Sequence, residues 1–337
     1  MRADFFTQLI PTSQNQTTLD AIIERIQDGK VVPIVGGMFV NDLAFGNHDA
    51  LVRGWAGYIQ YAQADQQHDL ARLAQYAGVH QAGGGRRDDV RVKEEYLKFL
   101  KAALQLLAQH DTNLTVAVRE EVADQERELT VSQLARFFGY PSLASSQENA
   151  LLFLAALPLP VYITTSYHDF LEVALREKAG KDPQTEVCRW HDGLRSVPSV
   201  FDRNKDYEPK PEKPLVYHLH GFDAYPQSLV LTEDDYLDFL TNIFRYDYVI
   251  HPRVNQALTE SSLALIGYRL RSWDFRTLFR GVINPRPSTY KMTRIAIQLE
   301  PDKSEQEYLD KYLHQVDFEV EWKPPGEFIA ELYKRWS

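Results

Sequence analysis

The chain has 337 residues, 44% of them hydrophobic and 12% aromatic, which is enough apolar material for a sizeable core and argues against a disordered chain. Its 37 Lys+Arg against 47 Asp+Glu leave a formal charge of −10, which opposes non-specific attraction to a polyanion, so no direct nucleic-acid partner is expected. A single cysteine, Cys188, excludes an intramolecular disulfide and a four-thiolate zinc site.

The N-terminal stretch MRADFFTQLIPTSQNQTT has neither a basic leader nor a long apolar run, and no run of about eighteen apolar residues occurs later. A cytoplasmic protein without a membrane partner is the expectation. Leu19–Asp28 reads as a helix with Leu19, Ile22, Ile23 and Ile26 on one face, started at Thr17/Thr18 and stopped by Gly29. Strand-like apolar runs follow at Val31–Val35, Pro160–Thr164, Leu215–Leu219, Ser262–Ile266 and Met292–Leu299, with an alternating candidate at Phe318–Trp322. Runs of this kind, separated by helical patterns, are the mark of parallel β-α-β units covered on both faces.

Residues 41–157 read almost wholly helical, including Lys93–Gln109 with an apolar stripe of Tyr96, Leu97, Leu100, Ala103, Leu104 and Leu107. That is too long for a crossover and predicts a helical insertion over the mouth of the sheet. Gln81–Asp89, with its Gly83-Gly84-Gly85-Arg86-Arg87 core, and Arg195–Pro214 read as loops; the first lacks the preceding strand and Lys-Ser/Thr ending of a phosphate-binding P-loop. The acidic residues Glu120, Glu121, Asp124, Glu126 and Glu128 read as a solvated face or a docking surface. The expected architecture is one α/β domain over 1–337, a doubly wound Rossmann-like parallel sheet with the insertion at 41–157 and a loop at 195–214.

Four segments carry candidate chemistry. Gly36-Gly37 directly follows the first strand, where missing side chains let backbone N–H groups approach a pyrophosphate, although a glycine pair after a strand is also an ordinary turn. Ile163-Thr164-Thr165-Ser166-Tyr167-His168-Asp169 ends a strand in hydroxyl residues and starts a helix; Thr165 or Ser166 caps that helix with or without a ligand. In Tyr217-His218-Leu219-His220-Gly221, strand alternation puts both histidines on one face, His218 as a core residue and His220 at the strand end as the better candidate for chemistry. No HExxH motif or cysteine cluster completes a metal site around them, so no metal is expected. The fourth segment, Leu265 to Arg276, ends a strand at Gly267 and opens a helix near Ser272 with Asp274 in its first turn; Arg269, Arg271 and Arg276 either pair with phosphate or form a solvated face.

In this order the four segments resemble the sirtuin-like family of bacterial NAD-consuming proteins, the silent-information-regulator type used in anti-phage defence, across about residues 19 to 300. The resemblance implies NAD as substrate and His220, in Leu-His-Gly, as catalytic base. It gives Gly36, Gly37 and Met38 to the phosphate loop, Gly267 and Tyr268 to the adenosine half, and Thr164 and Thr165 to the strand-end motif, with Tyr167 and His168 beside it. The family's asparagine after that motif is Ser166 here, shorter by a carbonyl-amide group. The implied reaction is hydrolysis of the nicotinamide–ribose bond, with Ser166 positioning the water and Asp169 or Asp274 supplying negative charge. One cysteine matches the zinc-free branch. The resemblance further implies activation by homo-oligomerisation or by a defence partner such as a HerA-type ATPase or a CHAT protease. A sensor that binds NAD or ADP-ribose without turnover is the alternative that Ser166 motivates, and a helical scaffold subunit of a larger defence complex is a third. A dehydrogenase fits poorly, because the dinucleotide fingerprint with its acidic residue ~20 positions on is missing.

Overall fold

The apolar runs pair into one sheet. A computed structural model describes residues 14–62, 69–81, 88–115, 128–141, 150–269, 272–283, 295–299, 306–307 and 318–337. Its strands are β1 Val31–Val35, β2 Val161–Thr164, β3 Gln184–Val187, β4 Leu215–His218, β5 Ser262–Tyr268, β6 Ile295–Leu299 and β7 Phe318–Trp322. They form a seven-stranded sheet in the order β3-β4-β2-β1-β5-β6-β7, and every pairing is parallel. The expected doubly wound parallel α/β sheet is what forms.

Strands covered on both faces must be apolar on both. Val31 and Val35 of β1 enter one core cluster while Val32 and Ile34 enter the other. Tyr162 and Val216 likewise face the first, and Val161, Ile163, Leu215 and Tyr217 the second. Helix α1 (Gln14–Gln27) leads into β1. It ends as a glycine stop should: Gly29 takes φ 67°, and its N–H and that of Lys30 donate back to the carbonyls of Ile26 and Arg25 at 3.0 and 2.8 Å.

The helical insertion begins earlier than Asn41, at Gly37. It contains α2 (Gly37–Phe45), α3 (His48–Tyr58), α4 (Leu70–Gln81), α5 (Asp89–His110), α6 (Val131–Phe137) and α7 (Ala150–Ala156). On α5 the buried stripe is Tyr96, Leu97, Leu100, Leu104 and Ala108, with Leu107 exposed instead. Buried polar bonds tie this unit to the sheet rim. Lys93 Nζ meets Asp235 Oδ1 at 2.8 Å, and both Ser132 N–H and Ser132 Oγ donate to Asp223 Oδ2 at 2.6 Å. The Gly83–Arg87 core of the expected loop and the acidic residues Glu120, Glu121, Asp124 and Glu126 lie outside the described residues.

Beyond β2 come α8 (Phe170–Ala179), α9 (Val200–Arg203), α10 (Glu233–Arg245), α11 (Pro252–Glu260), α12 (Trp273–Thr277) and α13 (Pro325–Trp336). The 195–214 stretch is not all loop: Ser199 Oγ accepts from Phe201 N–H at 3.1 Å and starts the single turn of α9. Cys188 is buried, with its thiol pushed up to about 12 by desolvation, in keeping with an inert apolar role. Among the described residues no helix is long and apolar enough to cross a membrane, and no His/Cys/Asp/Glu group of metal-binding size occurs.

Candidate active site

The sheet grows outward from β1 in both directions, so its switch point lies at the carboxyl end of β1, where ligands of open α/β sheets bind. Register brings Val35 beside Thr164 and Ile266 there, and Thr164 beside His218.

Gly36 is the residue that lets these ends close. Its N–H donates to the Ile266 carbonyl at 2.8 Å, and a Cβ on it would run into the carbonyl oxygen of Gly267 and stand 3.2 Å from that of Ile266. Gly267, at φ 77°, faces Phe39 Cβ just as closely. Both obstacles to Gly36 are backbone atoms of the neighbouring strand β5, so Gly36→Ala is expected to cost about 1–3 kcal/mol or more, seen as a lower urea midpoint.

Thr165 does cap a helix, but α2 rather than the helix that follows it: Gly37 N–H donates to Thr165 Oγ1 at 2.9 Å. The next amides of α2, on Met38 and Phe39, stand at the positive end of that helix. Thr164 Oγ1 donates to the Val35 carbonyl at 3.1 Å and accepts the Ser166 N–H at 3.0 Å. Ser166 Oγ accepts from His168 N–H at 3.2 Å, which leaves its hydroxyl proton for another acceptor.

Above these ends lies a cleft of about 500 Å³, within the size range of nucleotide sites. Of the residues singled out in the sequence, Gly37, Met38, Thr165, Ser166, Tyr167, Arg269 and Asp274 line it. Burial raises the Asp274 carboxyl, against hydrogen bonds from Ser272 and the Phe275 amide. Gly36, Thr164, Gly267 and Tyr268 stand just behind, with the Tyr268 hydroxyl 3.4 Å from Thr165 Oγ1. Arg276 is exposed, and Arg271 lies outside the described residues.

His218 and His220 do not share a face. The strand ends at His218 and the chain turns, so the alternation assumed from the sequence stops one residue too soon. His218 lies under the Ser166 segment, with Nδ1 2.9 Å from the Ser166 carbonyl and Nε2 2.8 Å from Glu172 Oε1. Burial disfavours its charged form, but Glu172 outweighs this and the pKa rises. His220 packs on the opposite side, edge-on to Tyr236 and Phe239 at ring distances of 5.4 and 5.1 Å. It is 1% exposed and Nε2 has no hydrogen-bond partner; burial lowers its pKa to about 3. His220 does not line the cleft, whereas Tyr236 does.

Asp169 and His168 also lie away from the cleft. Asp169 faces Arg136 at 3.4 Å, and its carboxyl rises to about 6, from burial first and Glu172 second. His168 is buried between aromatic rings, 5.0 Å from Phe170 and 6.1 Å from Phe45, with Nδ1 3.6 Å from Asp223 Oδ2. The cleft gains residues the motifs did not suggest: Asn41 and His48 from the insertion, and Tyr236 from α10, whose ring stacks at 5.9 Å on that of Trp273 from the fourth segment. The one legible signal for His48 was Gly46-Asn47, a helix break followed by a cap that turns the chain back.

No curated protein matches the chain. Residues 160–319 match the model of the SIR2-like domain, a span that takes in Ser166, His220, Gly267 and Asp274 while the glycine pair joins them from outside it. Those residues form a SIR2-like domain.

Proposed function

We propose that the protein is an NAD glycohydrolase, releasing nicotinamide and ADP-ribose. The observation that carries this reading is the meeting of Gly37, Thr165, Ser166 and Asp274 in one cleft at the switch point of a SIR2-like domain. The α2 amides and the glycine pair suit the pyrophosphate, and Arg269, already paired with Asp49, adds positive charge to the same wall.

In the reaction, water adds to C1′ of the ribose as the C1′–N bond breaks. The bonding electrons leave with nicotinamide, which departs neutral, so no strong general acid is needed. The Ser166 hydroxyl is the group that orients the water or a ribose hydroxyl, and a base must take the water's proton. His220 has that role by family resemblance, and reaching the cleft requires Tyr236 to move aside. An imidazole closed off in this way fits an enzyme held silent until assembly or a defence partner opens it, which is the regulation we propose.

The same closure favours a second reading, a sensor that binds NAD or ADP-ribose and does not turn it over. Incubating the protein with NAD and following nicotinamide and ADP-ribose by chromatography separates the two. Nicotinamide accumulation supports the hydrolase, bound but intact NAD supports the sensor, and absence of binding removes both.

A further inference from the structure

The imidazole that opens onto the cleft is His48, and its surroundings fix what it can do. Helix α2 stops at Gly46, φ 81°, and Asn47 Oδ1 accepts from Ala50 N–H at 2.8 Å to start α3. The chain therefore folds back and sets His48 over the last turns of α2. There the His48 N–H donates to Asp42 Oδ1 at 2.6 Å, and Asn41 Nδ2 lies 3.3 Å from His48 Nδ1. Asn41 and His48 are each 7% exposed, and both line the cleft.

An amide nitrogen only donates. Nδ1 must then be the acceptor, and the neutral ring carries its proton on Nε2. Burial lowers the ring's pKa to about 4, with Arg269 acting in the same direction and Asp49 opposing. Both nitrogens are thereby committed near neutral pH, one accepting from Asn41 and one bearing hydrogen, so the ring offers no lone pair to a water proton. A neutral N–H on the cleft wall suits an uncharged oxygen.

We propose that His48 is a binding residue that donates its Nε2–H to an uncharged oxygen of the bound nucleotide, a ribose hydroxyl, with Asn41 as the positioning residue that sets its tautomer. This inference rests on the NAD reading of the cleft, but it concerns recognition and not the base.

The test is calorimetric titration with ADP-ribose, which does not react, on wild type, His48→Ala, His48→Gln and Asn41→Asp, each checked for folding by circular dichroism. His48→Ala should weaken binding about 3- to 10-fold, and His48→Gln, whose amide can donate, should recover part of it. Asn41→Asp should weaken binding to a similar extent with His48 intact, because a carboxylate accepts from Nδ1–H and strips Nε2 of its hydrogen. Affinity in wild type should not change between about pH 5.5 and 8, while Asn41→Asp should bring an inflection into that range. Wild-type affinity in His48→Ala, or a wild-type inflection near the ordinary histidine value that His48→Ala removes, overturns the inference alone. Failure of wild type to bind ADP-ribose overturns the nucleotide reading itself.

Discussion

Glu172→Leu is expected to destabilise the protein by about 3–5 kcal/mol, the usual result of removing one partner from a buried ion pair. Glu172 and His218 are both fully buried and 2.8 Å apart, and Glu172 Oε1 also accepts from Thr185 at 2.8 Å. Both ring nitrogens of His218 face acceptors, the Ser166 carbonyl and the carboxylate, an arrangement that only the imidazolium satisfies. The sign of the pH effect follows. A histidine raised in the folded state holds a proton that the unfolded chain releases near its ordinary 6.5. The pair therefore stabilises fully below that value, and its contribution falls as pH rises through the elevated folded value. Urea unfolding across pH 6 to 9 should show wild type losing its advantage over Glu172→Leu towards alkaline pH. A gap between the two that is constant across this range would mean a neutral His218. Because His218 also holds the Ser166 carbonyl, the variant should bind ADP-ribose more weakly as well.

The paired apolar strands were legible because burial on both faces leaves no alternative to continuous apolar runs, as at Val31–Val35 and Ser262–Tyr268. Strand β3, Gln-Thr-Glu-Val, was not. It is an edge strand whose polar side chains are satisfied by groups distant in sequence: Thr185 bonds Glu172, and Glu186 accepts from Ser199 and Val200. No local pattern encodes such partners. The same distinction divides the site. Gly37, Thr165 and Ser166 sit on strand ends that the topology brings together, so motif order was enough to find them. The fate of His220 depends on where α10 lays its apolar face: Tyr236 and Phe239 cover the imidazole only once that helix has docked. His48 depends on a helix reversal that two residues, Gly46 and Asn47, produce.

The docked position of α10 makes His220 the sharpest test of the hydrolase reading. His220→Ala would empty a packed site between Tyr236 and Phe239, mixing a loss of stability with any loss of chemistry. His220→Asn keeps more of the volume and removes the base. If His220 takes the water's proton, this variant should release nicotinamide about 10²–10⁴-fold more slowly while binding ADP-ribose like wild type. The pH profile carries the structural part of the argument. A base works unprotonated, so its rate falls as pH drops through its pKa, and burial has lowered that of His220 to about 3. The acid limb of kcat/KM should therefore lie well below the ordinary histidine range, leaving turnover flat from about pH 5 to 8. Tyr236→Ala, which takes away the ring between His220 and the cleft, should let water in and move that limb up towards 6.5. Turnover in His220→Asn equal to wild type would remove the imidazole from the chemistry and leave Ser166 and the cleft's other groups to account for it.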